Sequence, residues 1–145
     1  MWKNIRIRVN AKACRDCHAC MVGCSVFHEN ECNEDLARVR VEKDMERFVF
    51  TIKLCKQCRN PKCKAACPVE AIYQDEKDVV HIYHEKCTRC GACLKACPFD
   101  ALFFSNGANK YIKCDLCEGR EEGPLCVQLC PVGALTLITV KAAEE

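Results

Sequence analysis

The sequence predicts a small α+β protein, rich in loops and held together by something other than a large apolar core. Three observations carry that prediction. Sixteen of the 17 cysteines among 145 residues fall into four groups of four. Three of the groups end in Cys-Pro and run on alike, as Cys67-Pro68-Val69-Glu70-Ala71-Ile72, Cys97-Pro98-Phe99-Asp100-Ala101-Leu102 and Cys130-Pro131-Val132-Gly133-Ala134-Leu135. Between the groups lie only short apolar or alternating runs of strand character. A chain of this length forms one domain or two small halves. With 29% charged and 7% aromatic residues, its own core is marginal without help.

The first group is Cys14-x2-Cys17-x2-Cys20-x3-Cys24, and the third, Cys87-x2-Cys90-x2-Cys93-x3-Cys97-Pro98, is the iron–sulfur run of bacterial ferredoxins. The second, Cys55-x2-Cys58-x4-Cys63-x3-Cys67-Pro68, lengthens the middle gap by two residues; the fourth, Cys114-x2-Cys117-x8-Cys126-x3-Cys130-Pro131, lengthens it by six. A [4Fe-4S] cubane needs four thiolates at tetrahedral corners. A short C-x2-C-x2-C loop supplies three of them, and in two-cluster ferredoxins the fourth Cys of each run serves the other cluster, so motifs work in pairs. The x3 spacing is expected to put that Cys on the first turn of a following helix, with proline fixing the turn. Zinc knuckles are two C-x2-C pairs with a longer spacer and frequent His, which these runs are not. So many tightly spaced cysteines cannot all form disulfides without strain. The sequence thus predicts four [4Fe-4S] clusters, metal-binding through sixteen cysteines, and an apoprotein that is largely unfolded.

Taken in order, residues 1–9 alternate as a strand and carry no apolar h-region or twin arginine. Group one differs from the others in having Ser25 after its fourth Cys. Residues 25–54 then break the short spacing. Within them Arg38 to Lys43 and Phe48 to Lys53 alternate around a turn at Asp44-Met45-Glu46-Arg47, so a β-hairpin insertion is expected, covering clusters or docking another subunit. Cys32 lies there in a polar stretch and reads as a spare thiol. Each Cys-Pro segment reads as a short helical turn leading into a strand, with strands at Val79 to Tyr83, Leu102 to Phe104 and Leu135 to Val140, and Glu118 to Leu125 as a surface loop.

The formal charge is +2 with free thiols; four oxidised clusters at about −2 each take it to roughly −6. Arg15, Lys56, Arg59, Lys62, Lys64, Lys86, Arg89, Lys95 and Lys113 sit in or beside the ligand runs and are expected to be solvated charges that balance the clusters locally. Basic residues interleaved with acids, without an aromatic platform, exclude nucleic-acid binding. His18, His28, His81 and His84 are not needed as ligands, and Trp2, Tyr73, Tyr83 and Tyr111 read as packing residues. No apolar run reaches the roughly 18 residues of a membrane span, so a cytoplasmic protein of a reducing, anaerobic cell is expected.

On these four groups, the insertion after the first, and the segments Ala37-Arg38-Val39-Arg40-Val41, Cys55-Lys56-Gln57-Cys58, Cys97-Pro98-Phe99 and Lys113-Cys114-Asp115-Leu116-Cys117, nearly the whole chain resembles the four-cluster, polyferredoxin-type electron-transfer subunits of molybdenum- and tungsten-pterin oxidoreductases. It is most similar to the iron–sulfur subunits of aldehyde:ferredoxin oxidoreductase-type tungsten enzymes, including class II benzoyl-CoA reductase; subunits of carbon monoxide dehydrogenases and hydrogenases are similar too. The resemblance implies a duplicated bacterial-ferredoxin-like fold of two 2[4Fe-4S] units. Residues 1–24 and 105–145 would form an outer unit, 55–104 an inner unit and 25–54 the inserted hairpin. It pairs motif one with four and two with three, which implies cluster 1 on Cys14, Cys17, Cys20 and Cys130, and cluster 2 on Cys24, Cys114, Cys117 and Cys126. Cluster 3 falls to Cys55, Cys58, Cys63 and Cys97, and cluster 4 to Cys67, Cys87, Cys90 and Cys93. The implied function is a non-catalytic electron-transfer subunit of an oxidoreductase complex, between a catalytic tungsten- or molybdenum-pterin subunit and ferredoxin or a flavin subunit. Head-to-tail self-association into a longer wire is a further expectation. A stand-alone polyferredoxin is the alternative of another class. A redox sensor would need an output surface such as a DNA-binding helix, which the sequence lacks.

Overall fold

The computed structural model describes residues 3–141. Among them, four antiparallel strand pairs, four α-helices and two 3-10 turns make an α+β fold with no extended sheet. Strand β1 (Ile5–Val9) pairs with the last strand, β8 (Leu135–Thr139), in the register Ile5↔Thr139 to Val9↔Leu135. Helix α1 (Ala19–Glu29) follows, eleven residues long, with left-handed His18 and Asn30 at its ends. It carries Cys20 and Cys24 four apart, so both sulfurs lie on one face.

The expected hairpin is β2 (Val39–Asp44) and β3 (Val49–Leu54), paired from Val39↔Leu54 to Asp44↔Val49. Asp44 closes its turn by accepting the N–H groups of Glu46 and Arg47 at 3.0 and 3.1 Å. Then one theme occurs three times. Helix α2 (Lys62–Ala66) leads to β4 (Ile72–Gln74), which pairs with β5 (Val80–Ile82). Helix α3 (Ala92–Ala96) leads to β6 (Leu102–Ser105), which pairs with β7 (Lys110–Lys113). Helix α4 (Leu125–Leu129) leads to β8.

This corrects the expected place of the helical turns. The helix precedes Cys-Pro: the third cysteines Cys63, Cys93 and Cys126 lie inside α2, α3 and α4, and the fourth, Cys67, Cys97 and Cys130, are their extended C-caps. The reason is steric, since the residue before proline is driven out of the helical region. The turn after Cys-Pro bends instead through left-handed Glu70, Asp100 and Gly133, each three residues beyond the cysteine. Strand β4 is the strand expected after the Cys67-Pro68 segment, and β7 completes a hairpin that sequence periodicity does not reveal.

Helix α1 packs on α4, and α2 on α3. A larger core gathers Ile5, Ile7, Met21, Val39, Leu54 and Leu135 with buried Cys20, Cys24, Cys114 and Cys126, while a smaller one joins Ile72, Val80, Leu102 and Tyr111 to Cys63 and Cys93. Gly23 permits the first helix pairing, because a Cβ there would lie 2.2 Å from Leu129 Cδ1. Among the described residues no helix is long and apolar enough to cross a membrane.

Candidate metal centres

Each cysteine run folds by one local rule. The residue two beyond the first cysteine, namely Asp16, Gln57, Arg89 or Leu116, is left-handed. Its backbone N–H thereby turns inward and donates to the first sulfur, at 3.5 Å for Cys14 and 3.4 Å for Cys55, Cys87 and Cys114. After Cys-Pro, the N–H of Ala71 and of Ala134 donate to Cys67 and Cys130 Sγ, both at 3.2 Å. Cys24, with no proline behind it, receives the same service from the distant backbone of Arg38 at 3.2 Å. Such oriented N–H groups favour a thiolate over a thiol. At Cys130 burial opposes ionisation, but the N–H groups of Leu135, Val132, Ala134 and Gly133 prevail and lower its pKa.

Between runs, the chain brings cysteines together in fours. Cys14, Cys17, Cys20 and Cys130 line one small cavity with Val132. Cys55, Cys58, Cys63 and Cys97 line a second with Phe99 and Lys113; Cys67, Cys87, Cys90 and Cys93 line a third with Val69 and Tyr111. Cys24, Cys114, Cys117 and Cys126 are all buried, and Cys126 feels the charges of Cys117 and Cys24 most strongly among its neighbours. Sets also touch. Cys126 feels Cys20 of the first set, and Cys114 feels Cys55 of the next. Cys17 and Cys90 are exposed, as is Cys32, which joins no set.

Burial, aided by neighbouring sulfurs, pushes the thiols of Cys20, Cys63 and Cys117 up to about 11, and those of Cys114 and Cys126 upward as well. Four crowded sulfurs of this kind cannot ionise together without positive charge in their midst. Iron supplies that charge, and all-sulfur sets of four are the donor type that iron–sulfur clusters take. The residues present therefore fit [4Fe-4S] clusters.

Polar groups missed by the sequence reading surround the sulfurs. His28 Nδ1 lies 3.7 Å from Cys24 Sγ and 2.9 Å from its carbonyl, and Nε2 lies 2.8 Å from Asp115. Burial opposes a charge on either ring or carboxyl, yet their pairing prevails, raising the His28 pKa and lowering that of Asp115. Arg38 donates to Asp115 at 2.9 Å and lies 3.5 Å from Glu29. His18 bridges Asp16 and Glu34, and His81 lies between Asp75 and Glu118. Seven of the nine basic residues near the ligand runs are exposed as expected; Arg59 is half-buried. Lys113 departs from the expectation. It is 3% exposed, because its strand β7 is wedged between β5 and the second cavity. Tyr111 packs inside, Tyr73 and Tyr83 are exposed, and Trp2 lies outside the described residues.

Comparison with known proteins agrees with this chemistry. Residues 46–140 match the 4Fe-4S dicluster domain family. The electron transport protein HydN of Escherichia coli is 32% identical over 96% of this chain and 90% of its own length. The thiosulfate reductase electron transfer subunit PhsB of Salmonella typhi is 32% identical over 86% of this chain and 70% of its own length. Among solved structures, a chain of the active-site complex BamBC of benzoyl-coenzyme A reductase matches with a TM-score of 0.56 and 28% identity, over 97% of this chain and 80% of that one.

Proposed function

The chain belongs to the 4Fe-4S dicluster domain family, and from that membership we propose that it is the electron-transfer subunit of an oxidoreductase complex, carrying four [4Fe-4S] clusters in a row. Proposed ligands are Cys14, Cys17, Cys20 and Cys130; then Cys24, Cys114, Cys117 and Cys126; then Cys55, Cys58, Cys63 and Cys97; and last Cys67, Cys87, Cys90 and Cys93. The observation that carries this reading is the gathering of the cysteines of distant runs in fours, with the first and second sets, and the second and third, near enough to feel one another's charge. Bound there, the clusters supply one-electron storage and transfer.

The protein's part is to hold and tune. Each set offers four protein sulfurs, leaving no iron position for a substrate, so the chain conducts and another subunit reacts. Backbone N–H groups on the sulfurs and apolar cover from Val132, Phe99 and Val69 govern how readily an electron is accepted. Exposed Cys17 and Cys90, in the first and the last of the proposed sets, are the natural points of entry and exit. The recurring helix, Cys-Pro turn and strand support a duplicated ferredoxin-like origin, with residues 1–24 and 105–145 as outer unit, 55–104 as inner unit and 25–54 as an inserted hairpin. The catalytic partner is proposed to hold a tungsten- or molybdenum-pterin, and the second partner to be ferredoxin or a flavin subunit, in the cytoplasm.

Anaerobic affinity purification with metal analysis tests this. About 16 irons per chain and a stoichiometric partner containing tungsten or molybdenum are expected. The same iron with no partner would make the protein a stand-alone polyferredoxin. Markedly less iron would overturn the four-cluster count.

A further inference from the structure

Lys113 is a buried cation without a buried anion. Its Nζ donates to the carbonyl of Val80 and, at 2.7 Å, to that of Cys114. Among the described residues no carboxylate forms an ion pair with it. An ammonium has three N–H donors and no acceptor, and an uncompensated charge at such depth is strongly disfavoured. The position is also held with care. Gln57, fully buried, donates its amide to the same Cys114 carbonyl at 2.7 Å and accepts the Val80 N–H at 2.9 Å. Gln57, the Val80 peptide, Lys113 and the Cys114 carbonyl thus close a polar ring, beside a cavity that Lys113 shares with Arg38, His81, His84, Asp115 and Glu118.

The ring lies between two cysteine sets. Lys113 itself lines the cavity of Cys55, Cys58, Cys63 and Cys97, and is bonded through the backbone to Cys114 of the neighbouring set. Every other basic residue singled out beside the ligand runs is at least partly exposed, where water weakens its field, while Arg6 on β1 is also buried, at 8% exposed.

Resting on the ligand sets proposed above, we infer that Lys113 is the internal counter-charge for the two middle clusters, held by Gln57 so that it makes those two sites the easiest to reduce. Adding an electron makes a site more negative, so a fixed positive charge beside it raises the potential. Removing that charge lowers it. The middle of the row then becomes an electron store, filled before either solvent-facing end.

The test uses whole holoprotein, purified anaerobically, with reduction followed by EPR in a mediated potentiometric titration. Lys113→Met keeps the length and apolar stem but removes the charge; Lys113→Arg keeps the charge. With full iron content retained, the two highest potentials are expected to fall in Lys113→Met by at least a tenfold change in equilibrium constant, about 59 mV for one electron. The other two should move far less, and Lys113→Arg should restore the native order. Full iron with unchanged potentials in Lys113→Met would overturn the proposal and leave the ligand sets standing; a wild-type protein with fewer than about 16 irons would instead defeat the ligand sets. Should neither variant assemble, wild-type protein with lysine labelled by nitrogen-15 at Nζ alone decides the matter. Pulsed EPR of the protein after its first two electrons should show a coupled lysine nitrogen, and its absence would overturn the inference.

Discussion

The part of the molecule closed by α1 and α4 and the part built on α2 and α3 present their sulfurs by the same local rule, yet they bury them to different depths. Around α1 and α4, Cys14, Cys20, Cys24, Cys114, Cys117 and Cys126 are buried; around α2 and α3 only Cys63 and Cys93 are. The backbone donors are alike in both. Local geometry is thus set by a few residues of sequence, whereas depth is set by what is laid over it: an eleven-residue helix, the β2–β3 hairpin and the paired chain ends in one case, two five-residue helices in the other. Depth controls both how strongly folding depends on metal and how readily a site accepts charge.

The largest effect should come from deleting a sulfur in each region. Cys126→Ser, deep under α1, is expected to cost iron from more than one site or to prevent assembly. Cys90→Ser, at the exposed extreme, should leave about 12 of 16 irons bound. Iron per chain and visible absorption decide this, and equal losses would break the comparison. A second contrast is steric. Gly23→Leu must prise α1 from Leu125 and Leu129, lowering stability by about 1 to 3 kcal/mol. Gly107→Ala, with its nearest neighbour at an ordinary 3.6 Å, should change it by less than about 0.5 kcal/mol in thermal melts of holoprotein.

Acid sharpens the comparison on the other side. Burial raises the pKa of Asp75, but bonds from His81 and the N–H groups of Val79 and Lys77 prevail and hold it below its ordinary 3.8. A depressed carboxyl contributes stability above its unfolded value and loses it as pH falls through the folded one. Asp75→Asn should therefore cost about 1 to 2 kcal/mol at pH 7, and the gap from wild type should narrow as melts of holoprotein are taken toward lower pH. The smallest effect is expected at the hairpin tip. Phe48 is 80% exposed and left-handed, so Phe48→Asn should leave iron content unchanged and stability within about 0.5 kcal/mol. Weaker co-purification of the catalytic partner in that variant would assign the tip to docking.

Much of this is legible in the sequence because it is local. Cysteine spacing announces the sulfur sites, alternation announces β1 and the β2–β3 hairpin, apolar or β-branched runs announce β5, β6 and β8, and the repeated Cys-Pro segment announces β4. The five-residue helices are easily misplaced because one turn shows no periodicity; proline after the fourth cysteine marks a helix end that reads as a beginning. Strand β7 escapes because Tyr111 and Ile112 are flanked by Lys110 and Lys113. Lys113 itself reads as solvated wherever its neighbours in space are unknown. Gln57 and Asp115 are hidden for the same reason: each lies between two cysteines, and only the fold reveals what it faces.

The pairing of β1 with β8 has a temporal side. A growing chain that has emerged as far as residue 105 already contains every cysteine of the two sets around α2 and α3. The cavity shared by Cys14, Cys17, Cys20 and Cys130 cannot exist until nearly the last residue of the described chain has been synthesised. On the proposed ligand sets there are therefore two classes of site, those around α2 and α3, complete early in the growing chain, and those around α1 and α4, complete only once Cys126 and Cys130 have been added. A truncated nascent chain should bind iron in the first class and leave the second bare.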